Sequence, residues 1–367
     1  MAVETNLGRA LTEALRTRNS EETAVVPAAD GTSQSLTALQ MQDRIIRLAL
    51  GLSHEGLKGG DRVLLAGGLS LDMLVVQTAV WALGAVTIHL DDGLSGDHMA
   101  EALGRVKAQW MAVDDRQTLG ALELMDGHAV SQATLVMRRA EDAERQASRV
   151  LSLPTLLELG RKRRLYDLNE LAQSMFQVPS EARAAILYWP SDEGLGAAAL
   201  SHRDLLDAQV PLPAAWGIKV GDHVLMTTSP GSRDGLIAVL RLLAHRTVLV
   251  FPEPERPLHV WMKTTRPHGV VGRAPDLRRV WERLHEEHDG QRSVRRLVKR
   301  GLNWLGRRIE PGTPSEEETD QPPPTLEQRI EQGTFLGKET DFGDRLRWVW
   351  CSDGELEPPL QTLFAQA

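Results

Sequence analysis

Apolar and polar positions along the chain switch repeatedly between a helical and an extended period. Over residues 36–52, Leu36, Leu39, Ile45, Ile46, Leu48 and Leu50 recur at helical spacing and Gly51 follows as a stop, which predicts a helix. The Gly59-Gly60-Asp61 turn then opens Arg62–Ala66, an apolar run of strand length. A helix from Ser70 to Leu83, a strand Ala85–Leu90, a helix Gly96–Lys107 and a strand Trp110–Val113 come next. Residues 151–180 are charged and helical in character without a clear stripe. From Arg183 the alternation resumes: strand Ala184–Trp189, a turn-rich stretch 190–199, a helix from Ser201, strand Asp222–Thr227, helix Gly235–Ala244 and strand Thr247–Phe251. Strands separated by helices predict mostly parallel, helix-covered sheets, an α/β fold of two lobes at residues 1–180 and 181–309. Residues 310–325 are acidic and proline-rich, a composition predicting a linker, and 326–367 complete the second lobe. No internal repeat is visible beyond one echo, in which Gly60-Asp61-Arg62-Val63 and Gly221-Asp222-His223-Val224 each open an apolar strand.

Composition narrows the classes. With 42% hydrophobic and 25% charged residues over 367 positions, the chain has the makings of a sizeable core. A net charge of −8 speaks against a nucleic-acid binder. Cys351 is the single cysteine, which excludes an internal disulfide and any multi-cysteine metal site, and a reducing cytoplasm is the expected location. The mixed charges of residues 1–20 do not form a secretory signal. Met73–Leu90 is long and apolar enough to raise the question of a membrane span. Gly84 splits it, and Asp91-Asp92 follow at once, so a buried helix leading into a buried strand is the expectation.

Several segments together resemble the N-terminal domain of the AMP-forming acyl-CoA synthetases, the adenylate-forming superfamily, and most closely its long-chain fatty-acid ligase branch. Residues 57–92 (LKGGDRVLLAGGLSLDMLVVQTAVWALGAVTIHLDD) resemble the family's G-V-x-x-G-D-R-V-A strand, its helix and its A-L-x-x-G-A-V-x-x-P-L-D strand. Residues 182–206 (ARAAILYWPSDEGLGAAALSHRDLL) stand where the family has the phosphate loop A-x-I-x-Y-T-S-G-T-T-G-x-P-K-G-V-x-L-S-H-x-N-L. Residues 220–251 resemble the strand, helix and strand that follow that loop. Residues 294–308 (VRRLVKRGLNWLGRR) and 345–360 (RLRWVWCSDGELEPPL) are similar to segments of the long-chain branch. In such a family the Y-G-x-T-E motif, the ribose-binding aspartate and the C-terminal lid with its lysine would lie beyond Ala367, so a lid is absent from the expected architecture.

The resemblance implies ATP-dependent acyl adenylation followed by transfer to coenzyme A, with Mg-ATP and CoA as cofactors. The residues at the phosphate loop argue otherwise. Such a loop cradles phosphate oxygens with backbone N–H groups and hydroxyls and neutralises them with a lysine. From Tyr188 to His202 the chain is one residue shorter than the pattern, and Trp189, Pro190, Asp192 and Glu193 replace its small and hydroxyl residues. No lysine lies between Lys162 and Lys219. A carboxylate about 4 Å from a phosphate charge costs roughly 4 kcal/mol at an effective dielectric near 20. The degenerate loop set is Ser191, Asp192, Glu193, Gly194, Gly196, Ser201 and His202. Asp192 and Glu193 either hold Mg²⁺ for a nucleotide or, by default, mark an exposed loop that no longer binds phosphate. His202 after Ser201 reads first as a packed imidazole beside a helix cap, and second as half of a catalytic couple.

Other candidates carry less. Arg233, nearest the family's histidine turn, is an anion contact or a surface ion-pair partner and cannot act as an acid or base. The S-G-G-A-P-L turn has become Ser352-Asp353-Gly354-Glu355-Leu356, adding two acids near the implied adenine and acyl pocket. His285 and His288 lie beside Glu286 and Glu287 on a charged helix, a solvated face rather than a metal site. Residues 273–308 carry eleven Arg and Lys against five Asp and Glu, and the basic helix 293–309 either packs with a solvated face or touches an anionic membrane or a partner. The expectation is a degenerate, non-catalytic synthetase-like protein with a binding or regulatory role. It has no catalytic residue, no metal and no required cofactor, and takes a protein partner or fatty-acyl ligand. The alternative is a truncated or split long-chain ligase completed by another chain.

Overall fold

The computed structural model describes residues 6–28, 32–68, 70–91, 93–114, 118, 133–136, 150–209, 217–228, 233–252, 258–274, 277–278, 345–346 and 348–351. The chain opens with α1 (Leu7–Arg18), capped by the Asn6 side chain, which accepts the Arg9 N–H, and burying Leu7, Leu11 and Leu15 one turn apart. A hairpin of β1 (Glu22–Pro27) and β2 (Ser33–Thr37) follows. The helix anticipated from Leu36 begins later, as α2 (Ala38–His54), because Thr37 and Gln40 form a capping box that fixes its first turn. Leu36 is therefore a strand residue and stays buried.

Next come β3 (Arg62–Ala66), α3 (Leu71–Ala82), β4 (Val86–Leu90), α4 (Gly96–Val106) and β5 (Trp110–Val113), close to their expected bounds. All of α3 except Asp72 is buried, which accounts for a helix without a polar face. The Met73–Leu90 stretch is thus a core helix and strand, and no helix among the described residues is long and apolar enough to cross a membrane. β6 (Ala133–Val136) and β7 (Val150–Ser152) precede α5 (Leu153–Gln177), the 25-residue helix that occupies the stretch without a stripe. Its burial is confined to a few points such as Leu156, Gly160 and Leu171, and a Cβ at Gly160 would overlap the Arg47 carbonyl of α2. The two helices approach closely there only because position 160 has no side chain.

The stretch 190–199, expected to be turn-rich, is instead most of a hairpin, β8 (Arg183–Ser191) and β9 (Gly194–Ser201), leading into α6 (His202–Asp207). Its small and apolar residues pair with β8 without a break from Ser191–Gly194 to Ala185–Leu200, a register shift follows before Arg183–Ser201, and only Asp192 and Glu193 remain as the turn. Beyond it lie β10 (His223–Met226), α7 (Arg233–Ala244), β11 (Val248–Val250), α8 (Leu258–Thr265), β12 (Gly269–Gly272) and β13 (Trp348–Cys351).

Two mostly parallel sheets result. One has the order β7-β6-β5-β3-β4-β8-β9 and the other β13-β12-β10-β11-β1-β2, with antiparallel pairing confined to the β8–β9 and β1–β2 hairpins. The sheets do not divide at residue 180: β8 and β9 belong with β3–β7, while β1 and β2 join the sheet of β10–β13. Parallel pairing of β1 with β11 and of β8 with β4 outweighs sequence order. One hydrophobic core cluster runs from Val63, Leu65 and Leu187 of the first sheet to Val224, Met226 and Leu249 of the second, through α1, α2, α3 and α7. A second lies on the outer face of the first sheet, where α4 places Leu103 and Val106 on Leu64, Ile88 and Met111. The expected α/β class, with two mostly parallel, helix-covered sheets, is therefore present.

The faint sequence echo marks a shared framework. In both lobes one strand is followed by a helix and a strand on one side, then by a strand on the other, giving β5-β3-β4 and β12-β10-β11. Asp61 accepts the Lys58 N–H at 2.8 Å, and Asp222 accepts the Lys219 N–H at 2.9 Å. The Gly60 N–H reaches the Gly84 carbonyl at 2.8 Å, and the Gly221 N–H reaches that of Arg246 at 2.9 Å. With φ of 84° and 81°, both glycines take a left-handed turn that other residues enter only with strain.

The 310–325 segment, the basic helix 293–309, the His285–His288 pair and Ser352–Leu356 lie outside the described residues.

Candidate functional site

The site begins where β8 leaves the core. Ala184 to Tyr188 are buried, Trp189 is half-buried, and Pro190 to Glu193 are exposed. The last β4–β8 pair is Leu90 with Tyr188, so Pro190 stands past the parallel ladder, where its missing N–H costs nothing on that side. Asp192 and Glu193 form a two-residue turn, closed by the Ser191 hydroxyl donating to the Gly194 carbonyl at 2.9 Å, and Gly194 takes φ +115°. The ladder then runs through Pro190–Leu195, Trp189–Gly196 and Tyr188–Ala197.

This geometry decides what the backbone can offer an anion. A phosphate cradle needs successive N–H groups converging on one point. Along an extended strand successive N–H groups point to opposite sides, and in β9 alternate ones are committed to β8. The tip contributes two exposed carboxylates.

Ser201 and His202 stand at the other end of β9. Seven residue steps at about 3.3 Å each put them roughly 20 Å from the turn, so the loop set does not converge on one locus. Ser201 caps α6 through the Asp204 N–H at 3.1 Å, and the Asp204 carboxylate accepts both the Ser201 N–H and hydroxyl at 2.7 Å. Those bonds, the backbone one first, hold the Asp204 carboxyl below its ordinary value. His202 is fully buried, and its Nδ1 accepts the Leu7 N–H of α1 at 3.3 Å. Burial pushes it down to about 4, so it is a neutral imidazole carrying its proton on Nε2. It joins α6 to α1 and does not face the hairpin turn. Arg233 begins α7.

Three groups that the sequence did not single out are well placed. His89 on β4 stands at the proline of the family's G-A-V-x-x-P-L-D pattern and is fully buried. Its Nε2 lies 2.9 Å from the Thr87 hydroxyl, which donates to the Ala184 carbonyl; the Trp81 indole N–H reaches that same carbonyl at 2.9 Å. Burial lowers His89 to about 3. The others are Gly68 and Asp114. An α/β sheet presents its crevice at the carboxyl ends where strand order reverses, here between β3 and β5. Gly67 and Gly68 follow β3, Asp114 follows β5, and the Gly68 N–H donates to the buried Asp114 carboxylate. The protein's own anion already takes that donor. The Gly-Gly-x-Ser after an apolar strand was the available signal for it. Among the described residues no group of three or more His, Cys, Asp or Glu could hold a metal ion.

Comparison with known proteins agrees with this frame. Residues 12–188 match the sequence model of the AMP-binding enzyme family. A stretch of 111 residues is 32% identical to an acetyl-coenzyme A synthetase of Cupriavidus pinatubonensis, covering 30% of this chain and 17% of that protein. A 107-residue stretch is 31% identical to the acetyl-coenzyme A synthetase of Paraburkholderia phymatum, covering 29% and 16%. Among solved structures, the adenylation domain of a carboxylate reductase from Mycobacterium chelonae aligns with TM-score 0.68 at 14% identity, over 98% of this chain and 56% of that one. A protein described as a long-chain-fatty-acid CoA ligase from Rhodopseudomonas palustris aligns with TM-score 0.56 at 18% identity, over 76% and 66%. The N-terminal subdomain of Klebsiella oxytoca NpsA, solved with 3-hydroxybenzoyl-AMSN, aligns with TM-score 0.53 at 15% identity, over 75% and 61%. The chain thus spans about a sixth of the curated relatives and about half to two thirds of these structures. Residues 12–188 thus resemble the AMP-binding enzymes in sequence, and the fold is similar to that of adenylate-forming N-terminal domains at low identity.

Proposed function

We propose that this chain is a degenerate acyl-CoA-synthetase-like domain that does not adenylate an acid itself and acts by binding, in a regulatory or scaffolding role, at a cytoplasmic location. The observation carrying this reading is the β8–β9 hairpin: an in-register ladder with an Asp-Glu tip where the superfamily resemblance calls for a glycine- and lysine-bearing loop. The functional partner is a protein or an apolar acyl ligand, and neither Mg-ATP nor CoA is required. Affiliation with the long-chain branch rests on residues 294–308 and 345–360 and belongs to the same proposal. The test is ATP–pyrophosphate exchange with a panel of fatty acids, together with thermal unfolding in Mg-ATP. No exchange and no shift are expected, and exchange above background would overturn the reading.

A second reading is a ligase half completed by another polypeptide. It rests on the same resemblance, and nearly all of this chain aligns with about half of the carboxylate-reductase adenylation domain. Co-expression with a chain bearing Y-G-x-T-E and the lid should then create exchange activity, and continued silence would sink it.

A further inference from the structure

α1, α2, α3 and the end of α7 enclose a cavity of about 40 Å³, walled by Leu11, Leu15, Met41, Ile45 and Leu243. At roughly 10–15 Å³ per water-sized group it accommodates three or four non-hydrogen atoms. Two nitrogen-bearing side chains line it, Arg18 and Gln209. Arg18 is only 7% exposed. Its Nε donates to Glu21 at 3.2 Å and its Nη1 to the Leu243 carbonyl at 3.2 Å, while its buried Nη2 finds no partner among the described residues. The Gln209 Nε2 is likewise buried and without a partner there. The Thr78 hydroxyl, also on the wall, is already spent on the Leu74 carbonyl.

The charge count points the same way. Glu21 also accepts both Nε and Nη2 of the half-exposed Arg246, so the carboxylate that pairs with Arg18 is shared between two guanidinium groups. A buried guanidinium stays protonated and its desolvation is offset only by a paired anion. The orphaned nitrogens are donors, so the cavity matches an acceptor-only, negatively charged guest. Its apolar walls and small size exclude polyanions and long chains.

We propose that this cavity binds a small planar oxyanion of three or four heavy atoms, of the formate or nitrate type, held by Arg18 Nη2 and Gln209 Nε2. No lining residue belongs to the β8–β9 hairpin, so this site is independent of nucleotide chemistry. The guest would tie α1 to the end of α7, the junction that Arg18 already bridges through Leu243.

The experiment is thermal unfolding of the full chain at constant ionic strength, replacing sodium chloride stepwise with sodium formate, sodium nitrate or the bulkier gluconate. A saturable rise in Tm is expected with formate and nitrate and none with gluconate. Line broadening of ¹³C-formate on adding protein gives a second readout, independent of stability. Gln209→Leu, at a partly exposed position, and Arg18→Lys, which keeps the charge but removes the guanidinium fork, should each weaken binding at least tenfold. Equal responses to formate, gluconate and chloride, a response that does not saturate, or unchanged ¹³C-formate broadening with Gln209→Leu would overturn the proposal and leave water as the occupant.

Discussion

Trp189 and Gly196 face one another across the β8–β9 ladder, and the indole fills the space that a side chain at position 196 would need. A Cβ built on Gly196 would lie 2.6 Å from the Trp189 Nε1 and Cε2 atoms. Both atoms belong to a rigid ring on the neighbouring strand, so the clash is not relieved by rotating a flexible chain end. Gly196→Ala should therefore destabilise the protein by about 1–3 kcal/mol. The double variant Trp189→Ala with Gly196→Ala should recover part of the added loss, which a double-mutant cycle by urea unfolding would measure. Simple additivity would contradict the packing relationship.

The hairpin geometry, more than its charge, is what opposes nucleotide binding in the proposed function. Asp192→Gly combined with Glu193→Lys removes both acids and supplies a cation at the tip while leaving the ladder in place. Mg-ATP should still produce no thermal shift in this variant, as measured by differential scanning fluorimetry. A saturable shift would mean that charge alone had closed the site.

Acid should weaken the fold through two buried histidines. His202 and His89 are lowered by burial to about 4 and about 3, against an ordinary value near 6.5. Each favours the uncharged form when folded, so their contribution is fully present above about pH 6.5. As pH falls below that value the unfolded chain binds protons that the folded chain excludes, and stability drops progressively toward the folded values. Below pH 6.5 the slope should approach roughly 1.4 kcal/mol for each unit of pH per histidine. Replacing His202 with Asn supplies a neutral acceptor for the Leu7 N–H, and the dependence of stability on pH between 6.5 and 4.5 should flatten. Urea midpoints at stepped pH provide the check.

At the crossing of α2 and α5, any side chain on Gly160 meets the Arg47 carbonyl, and Leu156 crowds Gly51 in the same way. Backbone cannot move aside as a side-chain end can. Gly160→Ala should cost more than the 0.5–1 kcal/mol that alanine gains over glycine by helix propensity, and so destabilise despite its better intrinsic preference. Thermal unfolding of the variant would test the sign.

β3 and β5 matched their expected bounds because three or four buried residues in a row, between turn residues, leave few alternatives. α1 has an equally good Leu7-Leu11-Leu15 stripe, but the interleaved charges of Arg9, Glu13 and Arg16, which speak against a secretory signal, also mask that stripe. The 190–199 stretch looked irregular since Gly194, Gly196 and Pro190 are poor strand formers individually. Each is held by its partner across the ladder, Ser191 for Gly194, Trp189 for Gly196 and Leu195 for Pro190, and local propensity does not contain these pairings. Sheet membership was the least legible feature, because β1 and β8 choose partners by parallel register with distant strands. The separation of Ser201 and His202 from the Asp192-Glu193 turn along β9 needed coordinates, because it follows from the strand pairing and not from local spacing.

The interleaving of the two sheets has a consequence for how the protein is made. Contacts such as Glu21 with Arg246 and Arg18 with the Leu243 carbonyl close across 225 residues. As the chain emerges from the ribosome, β1 and β2 must remain without their sheet until β11 has been synthesised, by which time β3–β9 are already available to form theirs. The hairpin of β1 and β2 is too small to be stable alone. Its docking therefore belongs to a late step of high contact order, which waits on the synthesis of β11.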